Sequence, residues 1–164
     1  MIDPYNTPIE TGIRVLVLLS KYAPSGIDLD RLLLLDHGLL HSADFGGPES
    51  LHPSVPLRSA ELGVKRRNIE QGLQVMLRAK LVEITPNAGG ILYRASDGAA
   101  NFLALLESNY VSSLEVAAEW VTTTFGDLRD DAEFRDRMAQ VRRNWPAELS
   151  DQAALGQSPA GWFL

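Results

Sequence analysis

The junction between residues 66–80 and the hairpin that follows limits this chain more than any other stretch. The segment RRNIEQGLQVMLRAK places Ile69, Leu73, Met76 and Leu77 at the i, i+4, i+7, i+8 spacing of one helical face, which is expected to be core. Directly after it, residues 81–84 (LVEI) and 91–93 (ILY) read as short strands. Pro86-Asn87-Ala88-Gly89-Gly90 between them supplies residues that tolerate turn backbone angles. A helix leading straight into a hairpin is the end of a winged helix-turn-helix. The expected fold is mainly α with a small β-hairpin: a winged helix-turn-helix core with additional C-terminal helices.

Upstream, Thr7-Pro8-Ile9-Glu10 is a capping box with proline at the first helical position. The helix it opens is expected to run to about Tyr22, burying Ile9, Ile13, Leu16, Val17 and Ser20, and to stop at Ala23-Pro24-Ser25-Gly26. Asp28 caps a second helix whose Leu29, Leu32–Leu35, Leu39 and Leu40 make it apolar on most of its circumference, so it is expected to be buried centrally. Asp36, His37 and His41 interrupt it. The two histidines stand at i, i+4, a spacing two helical metal ligands require. A metal reading needs a third ligand such as Asp44 or His52 and a glutamate between the histidines, where the chain has Gly38-Leu39-Leu40. Structural histidines are the preferred reading.

Residues 42–57 (SADFGGPESLHPSVPL) lose periodicity and form an insertion loop, longer than most connections within a domain. Such loops carry function, and Asp44, Phe45, Glu49 and His52 are its candidate partner-docking residues. Arg58, Lys65, Arg66 and Arg67 then gather at the start of the helix that precedes the hairpin. In a winged helix that half enters the major groove, so these four are candidate DNA or partner contacts. A formal charge of −6 argues against a protein that grips a phosphate backbone with its whole surface, so any nucleic-acid contact falls to a local patch.

Past the hairpin, Ser96 reads as a cap for a short helix bearing Ala100, Phe102, Leu103, Leu105 and Leu106, which Ser108-Asn109 breaks. A longer helix from Tyr110 to Thr124 buries Leu114, Ala117, Ala118 and Val121, with Trp120 at its edge. The core thus spans 1–125. A C-terminal helix occupies 126–144, with Phe134, Met138 and Val141 as a thin apolar seam, and a tail follows at 145–164. The tail ends in Trp162-Phe163-Leu164, unusual for a solvated segment, so Trp162 and Phe163 are a candidate anchor, for a partner or for this chain's own core.

No catalytic set is recognisable, no cofactor is expected, and the absence of cysteine removes thiol chemistry. No basic-then-apolar leader opens the chain and no apolar run approaches the twenty or so residues of a membrane span, so a cytoplasmic protein without membrane contact is expected.

The block His41-Ser42-Ala43-Asp44-Phe45-Gly46-Gly47-Pro48-Glu49-Ser50-Leu51-His52-Pro53, its continuation through Val55-Pro56-Leu57-Arg58 to Arg66-Arg67, the opening residues 4–12 and the run Leu32–His37 together resemble the middle component of bacterial ABC three-component systems, of which the Lamassu anti-phage systems are members. The resemblance covers roughly residues 4–125. It implies a non-enzymatic adaptor that joins an SMC-like ABC ATPase to an effector, often a nuclease, in a hetero-oligomer that meets DNA through the complex. The sequence agrees in lacking both a GxxxxGK[ST] loop and a carboxylate cluster of the kind a two-metal nuclease uses. Two other classes stay open: a dimeric winged-helix transcriptional regulator, and, more remotely, a metalloenzyme built on His37 and His41.

Overall fold

The computed structural model describes residues 7–51 and 59–125 and, beyond them, 130, 132, 133, 135, 136 and 139; side chains at 44, 45 and 59–62 fall outside that description. In chain order the elements are α1 (Pro8–Tyr22), α2 (Leu29–Leu40), a 3-10 turn (Ser42–Phe45), α3 (Ser59–Arg78), strands β1 (Val82–Asn87) and β2 (Gly90–Ala95), α4 (Ala99–Ala104) and α5 (Asn109–Thr124). The fold is mainly helical with one small antiparallel hairpin.

Helix α1 starts where its cap dictates: the Thr7 hydroxyl accepts from the Glu10 N–H at 3.3 Å, with Pro8 in the first turn. It is the hub, touching α2, α3, α4, α5 and β2. Because neighbours surround it, Val15 to Leu19 are all buried, together with Thr11, Gly12 and Arg14. The single buried stripe expected from periodicity is therefore wrong at its first member, since Ile9 precedes the surrounded section and is 62% exposed. Helix α2 is capped by Asp28, which accepts from the Arg31 N–H at 2.8 Å, and buries Leu32 to Leu35, Leu39 and Leu40 as expected.

The tightest packing lies between α1 and α3. A methyl at Gly72 would sit 2.7 Å from the Gly12 backbone nitrogen, and one at Gly12 would sit 3.0 Å from the Gly72 carbonyl oxygen. The two backbones thus meet with no side chain between them. Ile69, Leu73 and Met76 flank this seat and are buried, as the periodicity requires. Helix α3 begins at Ser59, seven residues before the segment from which it was inferred.

Helix α3 ends in a Schellman arrangement, with the Leu81 N–H donating to Met76 O at 2.9 Å and the Lys80 N–H to Leu77 O at 3.0 Å. Lys80 holds φ at +59°, a left-handed conformation that disfavours a Cβ. Lys80→Gly is expected to stabilise the chain by about 1 kcal/mol, read as a higher guanidinium midpoint with unchanged slope.

The hairpin pairs Val82 with Ala95 through Asn87 with Gly90, closing over Ala88-Gly89. Pro86, expected in the turn, instead lies in β1 opposite Ile91. It is accommodated because its pair neighbours the hydrogen-bonded Asn87–Gly90 closure, which puts its missing N–H on the outer edge. On the far side of β2, Ile27 pairs with Tyr93 through both backbone bonds at 2.8 Å, so the segment after α1 adds one rung to the sheet. The order helix, bridge, helix, helix, hairpin is compatible with a winged helix-turn-helix. It departs in the long connection between α2 and α3, where such motifs use three or four residues.

Two caps differ from expectation. Gly98, not Ser96, precedes α4 and makes no side-chain cap; Ser96 contributes its backbone carbonyl to the Ala99 N–H instead. Leu105 lies past the end of α4 and is 78% exposed. Ser108 begins a helix rather than merely breaking one, its hydroxyl accepting from the Val111 N–H at 3.1 Å to open α5. Leu114, Ala117, Ala118 and Val121 of α5 are buried as expected. Of the C-terminal helix, 132, 133, 135, 136 and 139 are helical and Asp130 caps their start, accepting from the Ala132 N–H at 2.8 Å. Phe134, Met138 and Val141 lie outside the described residues.

Candidate interaction surfaces

The α3 cluster is divided by the fold. Lys65 turns inward, its Nζ 3.4 Å from Asp36 Oδ2 on α2 and its side chain 13% exposed. Arg66 reaches along the surface to Asp30 at 2.7 Å. Arg67 is exposed, and Arg58 lies outside the described residues. Two of the three described cations are thus engaged by α2 carboxylates, and Arg67 is the one presented outward.

Asp36 is fully buried and is shared between two helices. Arg14 of α1 donates to it through Nε at 2.9 Å and Nη2 at 3.4 Å, and is itself 1% exposed. Burial alone would raise the Asp36 pKa, but the Arg14 and Lys65 cations outweigh it and hold the carboxyl well below its usual range. Burial likewise opposes the Arg14 charge, and Asp36, with the Tyr110 phenol of α5 beside it, more than compensates and raises its pKa. One carboxylate therefore ties α1, α2 and α3 together. Sequence reading noted Asp36 only as an interruption and did not weigh Arg14. The signal was there: an Asp within a leucine-rich helix and an Arg within IRVLVLL are opposite charges in segments too apolar to leave either alone.

His37 and His41 lie with ring centroids 5.0 Å apart. Burial, then the neighbouring Lys65 charge and His41, bring the His37 pKa from 6.5 to about 3, so it is neutral at pH 7. Among the described residues no three His, Asp or Glu side chains gather in a way that could hold a metal ion. Of the further ligands considered, the Asp44 side chain and His52 fall outside the described residues. The folded chain declines a proton that the unfolded chain accepts, so stability is expected to fall as pH drops from about 6.5 towards 3, by up to ~1.4 kcal/mol per unit. His37→Gln should flatten that slope by one proton, measured by denaturant midpoints between pH 4.5 and 7.

Residues 42–50 of the insertion loop are held by their own polar groups. The Ser42 hydroxyl donates to Pro48 O at 2.8 Å, the Gly47 N–H donates to Ser42 O at 2.9 Å, and Ser50 Oγ accepts from the Ala43 N–H at 3.1 Å. Trp120 lies against Gly47, where an added methyl would come 2.5 Å from the indole. Phe125 takes the corresponding seat on Gly38 of α2. The GGP stretch thus needs glycine for close approach to a tryptophan. Pro48 to Leu51 face Ser112, Ser113, Val116 and Ala117 of α5 across an open cleft of about 460 Å³, with Val116 63% exposed and Glu49 on the rim. Of the candidate docking residues, Glu49 is placed at this cleft, Asp44 and Phe45 are placed by backbone alone, and His52 is outside the described residues. Trp162 and Phe163 are outside them too. Among the described residues no helix is long and apolar enough to cross a membrane.

Neither the curated proteins nor the solved structures include a match to this chain. A family match, in contrast, runs over residues 4–148, past residue 125 where the resemblance in the sequence stopped. With nearly the whole sequence covered, from the capped α1 through the GGP loop to α5 and beyond, the chain belongs to the family described as ABC-three component system Middle Component 2.

Proposed function

We propose that this chain is a non-catalytic adaptor that links an SMC-like ABC ATPase to an effector within a Lamassu-type anti-phage complex.

 

The observation that carries this reading is the family match, whose description places the chain as one component of a multi-component system. The charge pattern supports it: Asp36, Arg14 and Lys65 are spent on holding helices together, and the outward features are a tied loop over an open cleft, a hairpin and Arg67. The anti-phage role, the ATPase and the nuclease effector rest on the resemblance to Lamassu-type systems. On this reading Glu49 and its loop, and Trp162 and Phe163 of the tail, meet protein partners.

The test is affinity purification of the chain expressed from its native gene neighbourhood, with mass spectrometry and light scattering on what accompanies it. Recovery of a coiled-coil ATPase and a second protein in fixed ratio supports the adaptor. A lone homodimer carrying DNA overturns it in favour of a winged-helix regulator, a reading with which the Ile27–Tyr93 rung and the element order are compatible.

DNA contact by α3 needs a variant that respects the buried pair. Replacing Lys65 with Glu would set a carboxylate against Asp36 and damage the fold, so it cannot report on binding. Arg66→Glu with Arg67→Glu is expected to cost no more than about 1 kcal/mol, because both side chains are exposed and the Arg66–Asp30 pair that is lost lies at the surface. If α3 meets DNA in the assembly, the pair should lower affinity at least ten-fold and reduce its salt dependence, and unchanged binding would refute the groove reading.

A further inference from the structure

The outward face of α3 carries side chains that the fold leaves unused. From Arg66 to Arg78 every exposed residue is polar: Arg66, Arg67, Glu70, Gln71, Gln74 and Arg78. Of these, Arg67, Gln71, Gln74 and Arg78 stand at i, i+4, i+7, i+11, a single stripe that spans about 16 Å of helix axis. Among the described residues the two amides make no hydrogen bond and the two guanidiniums no ion pair, whereas Arg66 is held by Asp30. Lys80 adds a third exposed cation just past the helix, at φ +59°, a conformation that glycine would hold at lower cost. A cation kept at such a position points to a use beyond the fold. Glu70 is the only acid between residues 66 and 80, so positive charge gathers here in a chain whose formal charge is −6.

We propose that this stripe, with Lys80, binds the major groove of duplex DNA, Arg67, Arg78 and Lys80 on phosphates and Gln71 and Gln74 on adenine edges. The inference names the reading residues of the α3 contact raised above and stands apart from the adaptor reading. Chemistry selects the ligand. The centre of a protein-binding patch is apolar or aromatic and poor in charge, and this stripe has no apolar member. Interfaces with DNA are polar and positively charged, and a glutamine amide pairs bidentately with adenine N6 and N7 in the major groove. Spacing agrees. The groove is about 12 Å wide, so arginines about 16 Å apart along the helix reach the backbones at its borders while the amides between them meet the bases.

The full chain alone, titrated into a fluorescein-labelled duplex pool of randomised sequence, should bind with a Kd of about 1–100 μM at about 0.1 M salt. Log affinity should fall against log salt with a slope of about −3, near 0.9 for each of the three cations. Lys80→Gly separates binding from folding: it should weaken affinity about eight-fold at that salt and flatten the slope by about 0.9, while its guanidinium midpoint rises above the parent's. Gln71→Ala with Gln74→Ala should keep the slope and lose the adenine-containing preference that selection from the pool returns for the parent. No anisotropy change over that concentration range, Lys80→Gly binding as the parent does, or a selected sequence indifferent to the two glutamines would each overturn the proposal. So would displacement of the duplex by polyglutamate of equal charge, the behaviour of a patch made for an acidic protein surface. Only this chain and DNA are present, so a negative result leaves the adaptor reading to the recovery of its partners.

Discussion

Asp36→Ala is expected to cost about 3–5 kcal/mol, a large share of the 5–15 kcal/mol that holds a domain of this size together. The loss comes less from the missing contact than from what is left behind: Arg14, 1% exposed, keeps its charge but loses the carboxylate to which its Nε and Nη2 donate. Chemical denaturation should show the midpoint collapse at pH 7. Arg14→Met together with Asp36→Leu should recover much of the loss, because two apolar side chains of similar size remove the fully buried pair, and Lys65, 13% exposed, can swing its flexible ammonium towards water. A double variant as unstable as Asp36→Ala would show that the pair is needed in itself. The acid limb supplies a second check. The folded-state pKa of Asp36 lies below the ordinary 3.8, so its contribution is fully present above that value and is lost as pH falls through the folded one. The double variant should therefore unfold less steeply below pH 4 than the parent.

The second large effect pits one substitution against itself at two places on one helix. Gly63→Ala, where nothing lies within 4 Å, should raise stability by about 1 kcal/mol through helix propensity alone. Gly72→Ala gains the same propensity but drives a methyl to 2.7 Å from the Gly12 nitrogen, a backbone atom that no rotamer change can move. It is expected to lower stability by a net 1–3 kcal/mol, and Gly72→Val by about 3 kcal/mol or more. In a chain of this length each kcal/mol moves the melting temperature by about 2–4 °C, so calorimetry should find the two alanine variants on opposite sides of the parent. If Gly72→Ala melts above the parent, the α1–α3 seat is looser than these distances describe.

Local signals were readable in the sequence to different depths. Caps and periodicity were legible where a single residue type carries the physics: Thr7 and Asp28 open their helices as read, and Ile69, Leu73 and Met76 fall on one buried face. The same reasoning placed Ile9 in the core wrongly, since periodicity predicts a face but not where along a helix its neighbours begin. Pro86 was read as a turn residue because proline usually is one, and only the strand register shows that its lost N–H points away from the partner. The basic cluster was visible as composition. That Lys65 faces Asp36 while Arg67 faces water depends on how α2 lies across α3, which no local pattern encodes. The glycine seat is of the same kind: Gly12 and Gly72 are sixty residues apart, and each is unremarkable until the other is beside it.

That seat and the shared carboxylate also bear on how α3 is used. With Gly72 pressed to α1 and Lys65 held by Asp36, the helix is preorganised at two points along its length. Whatever binds its outer face meets it already in place, so little ordering entropy is charged against the complex. Recognition there becomes rigid-body association, limited by encounter and complementarity rather than by folding of the site.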